Sequence, residues 1–122
     1  MDKVEIEKGN FAITLFMGYE YPDMNNKIWE LQKDDLHNYH EDWRLLMPVV
    51  EKIINIKHGI TFQTSFSTSL SIVSVYDYDN EYQICQERFS TSINSQIETM
   101  FIAVISFIHW YHTQPKIKST NN

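Results

Sequence analysis

Residues 60–88, ITFQTSFSTSLSIVSVYDYDNEYQICQER, decide the fold. Ile60, Phe62, Thr64 and Phe66 alternate with Thr61, Gln63 and Ser65. That period of two puts successive side chains on opposite faces of a strand. Leu70 to Tyr76 is rich in β-branched residues, which fit a pleated surface. Asp79-Asn80 signals a turn, because these short side chains bond the local backbone and tolerate left-handed geometry. Glu81 to Gln86 then resumes a strand pattern. Strands joined by such short links predict an antiparallel meander.

Helical periodicity flanks this block. Residues 4–17 predict a first helix, with Ile6, Phe11 (or Asn10), Ile13, Phe16 and Met17 inward. Gly9 weakens it, since glycine costs about 1 kcal/mol inside a helix. Gly18 suits the position just past its end. Residues 27–32, KIWELQ, alternate like a short strand, and 33–40 are polar.

The spacing predicts a second helix over about 42–57, with Trp43, Leu46, Met47, Val50, Ile53 and Ile54 on one stripe. Asp42 can accept the backbone N–H groups that the first turn leaves open. Lys57 and His58 suit the negative end of the helix dipole, and Gly59 its stop. Pro48 lacks an N–H and crowds the preceding turn, so a kink or break is expected there, with Trp43 and Met47 packed inward.

A third helix is expected over about 92–113. Ile93, Ile97, Met100, Phe101, Val104, Ile108 and Tyr111 form its stripe, and Ile102, Ile105 and Phe107 widen it. Ser95 and Glu98 fit a capping box, with Ser92 as an earlier start. The order α-β-α-β-β-β-α predicts an α+β domain, an antiparallel sheet of three to four strands packed against three helices. The domain spans 1–115, and 116–122 form a flexible tail.

The chain of 122 residues is long enough to bury one core. Its formal net charge of −6 repels phosphate and anionic membranes and favours basic protein surfaces as partners. Cys85 is the single cysteine, so no internal disulfide can form. Met1 to Glu5 lacks a basic region followed by an apolar one, and the longest apolar stretch, Met100 to Ile108, is too short to span a bilayer. A cytoplasmic protein is expected.

Two H-x-x-H pairs occur, His37 with His40 and His109 with His112. On a helix that spacing puts both imidazoles on one face, where a metal can use them, and Glu41 and Asp42 can add oxygen ligands. No H-E-x-x-H or C-x-x-C signature supports a site. Cys85 lacks a neighbouring histidine, and no G-x-S-x-G motif, phosphate loop or dinucleotide fingerprint is present. These missing parts predict a protein that is not an enzyme and carries no metal or cofactor. A metal-dependent enzyme built on the histidine pairs is an alternative.

The stretch Tyr39-His40…Trp43…Leu46-Met47-Pro48-Val49-Val50-Glu51-Lys52-Ile53 resembles a pattern in small phage and prophage proteins, the phage ABA-sandwich domains. Phe16-Met17-Gly18 is similar to their N-terminal segment. Ile97-Glu98…Ala103-Val104-Ile105…Phe107-Ile108-His109-Trp110-Tyr111 resembles their closing helix. The resemblance implies a helix–sheet–helix sandwich and a phage or mobile-element origin, and no activity. It implies that the proline-bearing segment is scaffold. The Ser/Thr-rich strands depart from the family's pattern.

Acidic residues suggest a role. Glu20, Asp23, Glu30, Asp34, Asp35, Glu41 and Asp42 face only Lys27 and Lys33 in their region. Asp77, Asp79 and Glu81 are interleaved with Tyr76, Tyr78 and Tyr82. Carboxylates steer toward basic surfaces, and tyrosines bury contact area at low entropy cost. Asp34, Asp35, Glu41, Asp42, Asp77, Tyr78, Asp79 and Glu81 are therefore the candidate partner-binding residues. The bland alternative is a solvated acidic face. With the phage resemblance, the expectation is an acidic inhibitor of a host nucleic-acid-binding defence protein, an anti-CRISPR or related anti-defence protein. An accessory domain of a phage assembly is the alternative.

Overall fold

The computed structural model describes residues 1–18 and 38–114. The elements run α1 (Lys3–Phe16), α2 (Trp43–Ile54), β1 (Ile60–Phe66), β2 (Leu70–Asp77), β3 (Tyr82–Ser90) and α3 (Gln96–His112). The strands form an antiparallel sheet in the order β1-β2-β3, the meander expected from 60–88. The α+β class is as expected. The strand expected at 27–32, the loop residues Asp34, Asp35 and His37, and the tail 116–122 lie outside the described residues.

Local chemistry sets the helix ends. Asp2 and Ser95 each accept the N–H of the residue three ahead, Glu5 and Glu98, whose side chains return the bond. Asp42 caps α2, accepting from Arg44 N at 2.9 Å. Gly18, at φ +90, follows α1 as expected. The second helix is shorter than the expected 42–57. It ends at Ile54, with Asn55 closing on the Glu51 carbonyl. Gly59 is therefore not its stop, and Lys57 and His58 do not lie in its last turn. The helix also runs through Pro48 as one element. Pro48 and Arg44 face solvent, where water can serve the carbonyl that proline leaves without a donor.

A single core gathers Ile13 from α1, Leu46, Val49, Val50 and Ile53 from α2, Ile60, Val73 and Val75 from the sheet, and Met100, Phe101, Ala103, Val104, Phe107 and Ile108 from α3. Trp43 and Met47, expected inward, stay exposed, and Ile93 lies outside the helix and is exposed. The apolar arc of α2 is wider than the surface it covers, so one flank goes unburied. On α1, Asn10 takes the inward place rather than Phe11. It donates toward His40 Nδ1 at 3.1 Å and accepts from Tyr39 N at 3.0 Å. This buried amide ties the entry of α2 to α1.

Gly9 sits where α1 meets α3. A Cβ there would lie 2.7 Å from Phe101 Cζ and against Ile105 Cδ1. The residue that weakens the helix in isolation is what lets the two helices meet. Among the described residues no helix is long and apolar enough to cross a membrane.

Candidate functional site

One end of the sheet is held together by two loops. The segment between α2 and β1 meets the turn between β2 and β3, where Tyr78 N donates to the Gly59 carbonyl at 3.0 Å. Gly59 has φ +99, and a Cβ there would lie 2.7 Å from the Asp79 carboxyl carbon. Both its conformation and its lack of a side chain let the loops touch.

Asp77 forms the inner half of the clasp. It is 1% exposed and takes Lys57 Nζ at 2.9 Å, Asn80 Nδ2 at 2.8 Å and Asn80 N at 3.2 Å. Burial works against its charge, but the hydrogen bonds from Asn80 and Lys57 outweigh that and hold its pKa below the ordinary carboxylate value. The expectation that Asp77 meets a partner is thus corrected. Its lone pairs are committed inside the fold.

The outer half is exposed. His58 Nδ1 lies 3.0 Å from Asp79 Oδ2. Glu81 has φ +58 and, among the described residues, no ion-pair partner. Tyr78 is 52% exposed and stacks on Tyr76 at 5.6 Å and 23°. Gln63 Nε2 donates to its hydroxyl. Tyr82 packs at 6.2 Å against Trp110 of α3. Tyr78, Asp79 and Glu81 therefore share one rim, with Lys57 consumed by Asp77. The sequence did not mark Gln63, Lys57, His58 or Trp110 as part of it. The signal for Lys57 was a cation just before a strand whose partner strand ends in Asp77.

Glu41 and Asp42 are elsewhere. They precede α2 near Trp43, whose ring lies 6.5 Å from Phe66 at the far end of β1. The length of β1, about 20 Å for a strand of this size, separates them from the tyrosine rim. Asp42 is also occupied locally, capping α2 and pairing with the Arg44 guanidinium at 3.1 Å. Side-chain bonds from Arg44 lower its pKa. Glu41 is exposed, 3.6 Å from His40 Nε2.

Among the described residues the other candidate chemistry is not brought together, and His37 of the first histidine pair lies outside them. His40 packs edge-on at 5.7 Å against Phe101. Among the described residues no group of three His, Cys, Asp or Glu side chains is placed to hold a metal. Cys85 points at α3, 3.8 Å from the Ala103 carbonyl, and burial beside Glu87 pushes its thiol up to about 12. It stays protonated at neutral pH, unlike a cysteine nucleophile. His109 and His112 edge a shallow groove of about 280 Å³ that is also lined by Ala12, Leu15, Ile105 and Ile108.

No family model, curated protein or solved structure matches this chain.

Proposed function

We propose that this chain is a non-enzymatic binding protein of phage type that engages a basic, nucleic-acid-binding protein through its β2–β3 turn. The observation that carries this is the exposed Tyr78, stacked on Tyr76 beside Asp79 and Glu81, on a turn pinned from beneath by Asp77, Lys57 and Gly59. A pinned turn loses little conformational freedom on binding, which favours affinity. Its carboxylates can stand where a partner takes phosphates, and its tyrosines supply contact area. An anti-defence inhibitor, such as an anti-CRISPR, fits this chemistry and the phage resemblance.

Affinity capture from host lysate tests it, comparing the native chain with Asp79→Lys/Glu81→Lys and with Tyr78→Ala. The native chain should retain basic proteins and release them as salt rises, because exposed charges are screened within about 8 Å at physiological ionic strength. The charge-reversal variant should capture them slowly or not at all, and Tyr78→Ala should release them faster. Equal capture by all three chains would refute the assignment of this turn.

A further inference from the structure

Among the described residues, the sheet has two edges, and they are unlike. β3 carries a register shift opposite Val75 and Tyr76 and the charged residues Glu87 and Arg88. Bulges and charges are the devices by which sheet edges avoid pairing with other chains. β1 has none of them. From Gly59 to Tyr76 there is no charged residue and no proline, and the β1–β2 register is unbroken.

The register also shows which backbone groups β1 offers. Gly59 bonds Tyr78 at one end and Ser67 bonds Leu70 at the other. Because bonded pairs alternate along an antiparallel ladder, Thr61, Gln63 and Ser65 bond β2. Ile60, Phe62, Thr64 and Phe66 turn their N–H and C=O groups outward. A second β1, antiparallel about an axis at Gln63, would pair Ile60 with Phe66 and Phe62 with Thr64. Those are the outward-turned residues on both strands, and the pairing keeps core-face side chains on the core face of the joined sheet.

The flank of α2 beside this edge is apolar. Trp43, Met47 and Ile54 fall within about 40° of one another around the helix. They are 39%, 43% and 40% exposed, and Phe66, beside Trp43, is 40% exposed. Their stripe lies roughly 90° around the helix from the buried face of Leu46, Val49, Val50 and Ile53.

We infer that the β1 edge and the Trp43–Met47–Ile54 flank form a two-fold interface with a second copy of this chain, joining two sheets through β1. A two-fold contact requires a self-complementary surface, and this strand is one. Two chains of net charge −6 repel where their acids face, and the β1 strand carries no charge. A basic partner would find no carboxylate on the strand, although Gln63 at the axis also donates to the Tyr78 hydroxyl of the adjoining rim.

Sedimentation of the purified chain over a range of concentrations tests this, together with Thr64→Pro and Met47→Lys. Thr64 is exposed with its N–H outward, so proline there removes an intermolecular donor and no β2 bond. Met47→Lys sits on an exposed helix face and leaves the core intact. The native chain should be a dimer. Each variant should raise its dissociation constant by at least about tenfold, Met47→Lys because it sets like charges on the two sides of the contact and Thr64→Pro because it removes a donor from each strand. Circular dichroism should show the fold retained in Met47→Lys. A native chain that stays monomeric, one that gains mass only with a different protein, or a dimer that neither variant weakens would overturn the inference.

Discussion

Where α1 crosses α3, Gly9 brings a helix backbone against Phe101 and Ile105, and the nearest atoms facing it are all apolar. Where the α2–β1 segment meets the β2–β3 turn, the contact is made by Lys57 with Asp77 and His58 with Asp79. Both joints tie distant parts of the chain together. The first acts through burial and close packing, which do not titrate and which salt does not screen. The second acts through charge, which is strong only where it is desolvated and weak at the surface. The apolar joint holds the fold, and the polar one aims an exposed turn.

The largest effect that would sharpen this contrast is at Phe101. It is fully buried and touches both α1 and His40. Phe101→Ala should cost about 3–5 kcal/mol, the usual loss for a buried ring and the cavity it leaves. Urea denaturation at low and high salt checks it, and the loss should be the same in both. A loss that shrinks as salt rises would show that the apolar joint depends on charge after all.

Asp77→Asn should have the next largest effect, about 1–3 kcal/mol, because Lys57 would lose its partner beside a buried site. The pH dependence has a definite sign. The Asp77 pKa is lowered in the folded chain, so its contribution is present above the unfolded value of about 4. It is lost as pH falls through the lower folded value. Melting temperatures between pH 7 and pH 2 should therefore converge for the native chain and the variant. Parallel curves over that whole range would contradict the assignment.

The smallest effect is expected at His58. Its side chain is almost fully exposed, so the pair with Asp79 is solvent-screened. His58→Ala should leave the melting temperature unchanged at neutral pH. A clear fall would mean that the outer half of the clasp holds structure and does more than position the turn.

Signals that act within a few residues were legible in the chain itself. The alternation from Ile60 to Phe66, the turn at Asp79-Asn80, the capping box at Ser95 and the cap at Asp42 all stand in the structure, because each rests on neighbours only two or three residues away. Capping was legible and helix length was not. Residues 57–59 are taken up by the joint with the β2–β3 turn, which no local pattern encodes.

Residue chemistry, strand pairing and helix starts thus follow from sequence, since they depend on backbone geometry and nearby side chains. Three things were decided only by tertiary packing. Gly9 is a helix-weakening residue until α3 lies against it. Asp77 reads as one of three surface acids until Lys57, 20 residues away, buries its charge. Trp43 and Met47 belong to the apolar arc of α2, but the sheet and α3 cover only part of that arc. In each case the outcome depends on which distant surface arrives, and a linear pattern does not carry that.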